Sequence, residues 1–235
     1  MNNKKLIAAQ MATADKVLKQ LNTDEFEAVC VGGAPRDWWM GKPANDIDIC
    51  VVRKPVKFDP GNMVAIPWLE AYDAVGEYAT TCGFEVSFSA PEDRVPKGYE
   101  SNPNLDGVYD LTVDGHKVQL LVVSTSVAAY VANFPYSVCK ITYAERCLRP
   151  SKEFELSVDM QVVVATGDLY VNGKCSGGYA ERITAYFPHY KFYPDWQTAL
   201  DRARPREVYV DNRLVRLVKR WYNALCEFTN CQIGG

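Results

Sequence analysis

The chain has 235 residues, of which 48% are hydrophobic, 23% charged and 12% aromatic, with a formal net charge of -3. This composition excludes collagen-like, low-complexity and fully disordered chains, and the length suffices for one good core or two small ones. No apolar run approaches the roughly 20 residues that span a bilayer, and MNNKKLIAAQMATADKVLKQL lacks a cleavable apolar core. A soluble, cytoplasmic protein with no membrane partner is therefore expected.

Along the chain, Leu6, Ile7, Met11, Ala14, Val17, Leu18 and Leu21 recur at helical spacing and predict a helix over residues 5–21. Residues 27–31 read as a buried strand cut off by Gly32-Gly33, and residues 34–40 as a short helix with Pro35 in its first turn. Residues 46–52 alternate as a strand whose two carboxylates share one face. After a Pro-rich connection (55–67), a helix is predicted over residues 68–82 with Gly83 at its C-cap, then a strand over residues 84–89. Residues 91–107 form a long polar loop, and VYDLTV and KVQLLVV flank Asp114-Gly115 as a hairpin. A helix near residues 126–133 and a strand in SVCKITYA follow, and FELSV, MQVVVA and DLYVN carry β character. From Tyr179 onward the pattern is mainly helical and Arg-rich. It includes a helix over residues 180–187 stopped by Pro188 and an amphipathic helix over residues 213–228. Two parts are expected: a head over residues 1–150, and a β-hairpin plus helical, Arg-rich region over residues 151–235.

Eight cysteines (30, 50, 82, 139, 147, 175, 226, 231) include no Cys-x-x-Cys pair, and His116 and His189 lie far apart. Neither a structural zinc site nor a disulfide framework has a sequence signature, so most thiols are expected in the core. The basic aromatic stretch ERITAYFPHYKFYPDW suits either a core helix or a base-stacking surface, and the core reading is preferred.

Chemistry concentrates in VCVGGAPRDWWMGKPANDIDICVV, residues 29–52. Gly32 and Gly33 after a strand let the backbone come close to a ligand and free N–H groups for phosphate oxygens, with a helix start adding its dipole. Arg36 is a candidate phosphate partner. Asp37 is placed to hold Arg36 or a sugar hydroxyl. Asp46 and Asp48 project side by side, and two such carboxylates repel unless they share a cation, for which magnesium with a triphosphate is the usual solution. Trp38 and Trp39 are expected to pack against the sheet.

The order Gly32-Gly33-Ala34-Pro35-Arg36-Asp37, Gly41-Lys42-Pro43, Asp46-Ile47-Asp48-Ile49 resembles the signature of polymerase-β-type nucleotidyltransferases. It is closest to the head domain of the CCA-adding enzyme and poly(A) polymerase branch, and layout and size also resemble small phage-encoded members. The resemblance implies an α/β (α+β) nucleotidyltransferase fold: a mixed, mostly antiparallel sheet flanked by helices, plus a small C-terminal helical region. It implies a magnesium-dependent enzyme that moves an NMP from an NTP to an acceptor hydroxyl, such as an RNA 3' end (tRNA) or a protein, releasing pyrophosphate. Asp46 and Asp48 would be catalytic and metal-binding, and Gly32, Gly33, Arg36 and Asp37 nucleotide-binding.

Two departures stand out. Ser137 and Cys139 occupy positions where that branch has a nucleotide-contacting Asp and Asn. The family's third metal carboxylate, on a later strand, is matched here by Gln119, which has no charge and accepts no proton. Asp110 across the hairpin is the nearest substitute, Glu85 is another, and Asp114 is expected to be structural. Loss of a general base typically costs on the order of 10²–10⁴ in rate. The alternative is thus a catalytically impaired nucleotide or RNA binder, or an inhibitor of a host protein.

Overall fold

The computed structural model describes residues 2–54, 69–87, 93–96, 102–166 and 179–203. The chain divides into two compact units, Met1–Ala199 and Leu200–Gly235, and the candidate site lies within the first. The loop over 91–107 is described only in part. The predicted Pro-rich connection, DLYVN and the amphipathic helix over 213–228 lie outside the described residues.

Helix α1 (Asn3–Leu21) starts at Asn2, whose side chain accepts from the Lys4 amide. It buries Ala14, Val17, Leu18 and Leu21, the apolar stripe that its 3.6-residue period sets on one side. Strand β1 (Phe26–Val31), helix α2 (Gly33–Trp39) and strand β2 (Ile47–Arg53) follow. Helix α3 (Leu69–Thr81) leads to β3 (Leu105–Val113) and β4 (His116–Val123). The hairpin between those strands turns on Asp114 (φ 51°) and Gly115 (φ 78°), the paired positive φ values of a type I′ turn. Asp114 is structural there, as expected, and accepts from Lys16 Nζ at 2.8 Å.

Helix α4 (Val127–Ala132) is capped by Ser126. A 3-10 turn over Ser137–Cys139 precedes β5 (Ile141–Ala144) and β6 (Cys147–Pro150), so the strand read into SVCKITYA forms only in its second half. Next come α5 (Lys152–Met160), β7 (Val162–Val164), α6 (Tyr179–Tyr186), β8 (Lys191–Tyr193) and α7 (Trp196–Ala203).

Six strands form one sheet in the order β3-β4-β2-β1-β5-β6. Every pairing is antiparallel except β2 with β4. The expected mixed, mostly antiparallel sheet flanked by helices is what the chain builds. Its residues alternate between two faces. Ile47, Ile49, Val51, Val118, Leu120, Tyr109 and Leu111 pack in one core with the buried faces of α1 and α3. Cys50, Leu121, Val108 and Val123 pack on the other face with Val127, Tyr130 and Val131 of α4. β7 and β8 pair in parallel as a separate small sheet.

Two strand expectations fail. Phe84–Ser87, the described part of the strand read over 84–89, joins no sheet. The backbone there closes α3 instead: Gly83 N donates to Thr80 O and Phe84 N to Ala79 O, the paired bonds of a Schellman cap. FELSV is helical within α5. Ser151 accepts from the Phe154 amide and Glu153 and Glu155 occupy the first turn, so capping and the helix dipole outweigh β propensity. Among the described residues, no helix is long and apolar enough to cross a membrane.

Candidate active site

β1 and β2 are antiparallel neighbours with Val31 opposite Asp48, so the Gly32 turn lies directly beside the Asp48 carboxylate. Gly32 holds φ +74°, and a Cβ built there would stand 2.8 Å from Asp48 Oδ2. Only glycine therefore fits, for steric and backbone reasons together. Asp46 lies one residue before β2 and is exposed, whereas Asp48 is half-buried within it. Asp48 Oδ1 is buried and has no hydrogen-bond partner. Burial, then the Asp46 charge, pushes the Asp48 carboxyl up to about 7, against the opposing pull of Arg36. A buried carboxylate oxygen that is left unpaired is costly, and a cation is the group that would relieve it.

Arg36 and Asp37, read as nucleotide contacts, are buried and engage each other: Arg36 Nε donates to Asp37 Oδ1 at 2.7 Å. The guanidinium lies 4.4 Å from the Tyr186 ring centroid, donates to Cys139 Sγ at 3.8 Å, and would sit 3.5 Å from a Cβ at Gly33. Lys42 Nζ lies 4.3 Å from the same Tyr186 ring. Burial and the nearby Asp37 carboxylate push the Tyr186 phenol up. Arg36 thus binds α6 to α2. Within the aromatic basic stretch, Ile183 and Phe187 are buried with Tyr136, Val138 and Val163, as the core reading expected, while Phe192 is exposed.

Gln119 stands opposite Asp48 across the parallel β2–β4 pair, and Asp110 stands opposite Gln119 across β3–β4. Gln119 Nε2 donates to Asp110 Oδ1 at 2.7 Å. Glu85 is exposed in the unpaired segment after α3 and does not belong to this row. Among the described residues, no three Asp, Glu, His or Cys side chains come together as a metal-binding group. Ser137 and Cys139 are buried, and Ser137 Oγ accepts from Ser157 Oγ at 2.6 Å and from Val164 N at 3.0 Å. Ser137 thus braces α5 and β7.

Sequence reading missed Gln10 of α1. Its buried side chain donates to Ala44 O at 2.7 Å and accepts from Ala44 N at 2.9 Å and Trp38 Nε1 at 3.1 Å. One amide thus fastens α2 and the loop leading to Asp46. The signal available was a polar residue beside the apolar stripe of α1. Trp38 is buried as expected, edge-on to Tyr143, but Trp39 is 43% exposed with its ring against Phe154.

The strand order, the one parallel pairing within the six-stranded sheet and the flanking helices are consistent with a nucleotidyltransferase fold. The chain is similar to a tRNA-processing enzyme solved in an apo form, with a TM-score of 0.52 and 16% identity, covering 84% of this chain and 46% of that one. It is similar to the Thermotoga maritima CCA-adding enzyme complexed with tRNA (TM-score 0.52, 14% identity, 86% and 45% covered). A CCA-adding enzyme in complex with CTP is similar as well (TM-score 0.50, 12% identity, 86% and 46% covered). The chain spans less than half the length of these structures, and at such identities the likeness carries the fold alone. No family model matches the sequence, and no curated protein is similar to it.

Proposed function

We propose that the protein is a magnesium-dependent nucleotidyltransferase that moves an NMP from an NTP to an acceptor hydroxyl, with release of pyrophosphate. The observation that carries this reading is the pairing of a buried, unpartnered Asp48 oxygen with a glycine turn that admits no side chain beside it. Asp46 and Asp48 are the residues that would hold magnesium, and the donor set fits: hard oxygens, two residues apart at the mouth of a strand. When bound, the ion supplies charge neutralisation at the triphosphate. Gly32 keeps the space above Asp48 open for the phosphates. Arg36 and Asp37 act one layer back, holding α2 and α6 together around that turn. An RNA 3' end, such as that of tRNA, is the acceptor class proposed, because the similar structures include a CCA-adding enzyme complexed with tRNA. A second reading, a nucleotide or RNA binder with little catalysis, is favoured by one observation: a neutral Gln119 stands opposite Asp48.

Incubation of the full chain with labelled NTPs, magnesium and a pool of short RNAs and tRNA tests both. The expected result is label transfer with pyrophosphate release, abolished in Asp46→Ala and Asp48→Ala. Transfer at equal rates in those variants would refute the enzyme reading. Magnesium-dependent NTP binding without pyrophosphate release would select the second.

A further inference from the structure

Beyond Asp48 the same row of the sheet continues through Gln119 to Asp110. All three side chains belong to one face, because Ile47, Ile49, Val118, Leu120, Tyr109 and Leu111 fill the opposite one. Asp48 Oδ1 is buried without a partner although an amide donor stands on the adjacent strand. A free glutamine would turn its NH₂ toward that oxygen, since an unpaired buried acceptor costs more than an exposed bond returns. It does not, because Nε2 is already given to Asp110 Oδ1 at 2.7 Å. An amide has one donor end and one acceptor end. With the donor end held on the β3 side, the acceptor end is free for the β2 side, where Asp48 stands opposite in register.

We infer that Asp110 is a positioning residue: it keeps the Gln119 amide from donating to Asp48 and leaves Oε1 as a third, uncharged oxygen for the divalent cation. The inference rests on the metal reading of Asp46 and Asp48 and adds to it. It makes this site a two-carboxylate, one-amide centre whose third position is tuned from the neighbouring strand.

The test is Mn²⁺ affinity of the full chain, followed by electron paramagnetic resonance without nucleotide or turnover. Asp110→Ala is expected to weaken binding about tenfold, the scale on which groups that orient a ligand act. Asp110→Asn, whose amide oxygen can accept the same bond, retains most of the affinity. Gln119→Leu loses as much as Asp110→Ala, and the double variant loses no more than either. Gln119→Glu binds more tightly than wild type. Equal losses in Asp110→Asn and Asp110→Ala, or additive losses in the double variant, mean that Asp110 acts through charge alone and overturn the inference while leaving the metal reading intact. Unchanged Mn²⁺ binding in Asp46→Ala/Asp48→Ala overturns both. Because Asp110 is exposed, thermal melts of its variants should match wild type and separate loss of ligand from loss of fold.

Discussion

Asp48 shows how a strand can carry a destabilising group. Its carboxyl, ordinarily near 3.8, is held at about 7 by burial first and by Asp46 second. Between those values the folded chain retains a proton that the unfolded chain has released, so raising the pH through this window weakens the fold. Asp48→Asn has no charge to bury at any pH. In EDTA, its Tm should exceed that of wild type at pH 8, and the difference should shrink as the pH falls toward 4. A gain of 1 kcal/mol corresponds to about 2–4 °C for a chain of this size. A difference that does not vary with pH would show that the Asp48 charge is not the source of the strain. The adjacent Cys30 thiol is pushed up by its own burial and then by Asp48, so it stays protonated beside the site.

Among the elements, the short helix α2 and the loop from Gly41 to Asp46 depend on α1 for their position. Gln10→Ala leaves the Ala44 N–H, the Ala44 carbonyl and the Trp38 N–H without their buried partner. The loss is expected at about 2–4 kcal/mol, since each stranded buried group costs on the order of 1–3 kcal/mol with some relaxation. Urea unfolding measures it as a fall in midpoint at constant slope. An unchanged midpoint would mean that the loop holds itself. The same elements show where sequence suffices. The hairpin at Asp114-Gly115, α1, α2 and the β1–Gly32–β2 order are legible because local chemistry and tertiary packing agree. Residues 84–87 were misread because apolar alternation says nothing about whether a backbone is already spent on a helix cap. FELSV was misread because its Ser151 cap stands just outside the apolar run, and β8 (Lys191–Tyr193) was not read as a strand because three residues carry too short a period. In the candidate site, Asp46, Asp48 and Gly32 are legible as a motif. The turning of Arg36 toward Asp37 and Tyr186 was not, because a guanidinium's partner depends on which distant helix packs over it.

Across the whole first unit, helix α6 returns to residues near the start of the chain. Its Tyr186 ring lies within 4.4 Å of the Arg36 guanidinium carbon and 4.3 Å of Lys42 Nζ. Cation–π contacts contribute about 0.5–1 kcal/mol at exposed sites, as at Lys42, and about 2 kcal/mol when desolvated, as at the buried Arg36. Tyr186→Leu, which keeps bulk but removes the π face, should lower stability by about 1–3 kcal/mol, read by differential scanning calorimetry. Retention of the wild-type Tm would show that shape alone holds α6. The parallel pairing within the six-stranded sheet, β2 with β4, has a consequence for the order in which the molecule comes into being. β2 leaves the ribosome early and can pair at once with β1, but its other edge, flanked by Ile47, Ile49 and Val51, waits until residues 116–123 have been made and turned back. Closing so long a loop is slow, and an open apolar edge invites mispairing meanwhile. The strand that bears the proposed catalytic carboxylates is thus the one most exposed to misassembly during synthesis, and the charges of Asp46 and Asp48 at its mouth help guard that edge whatever chemistry they serve.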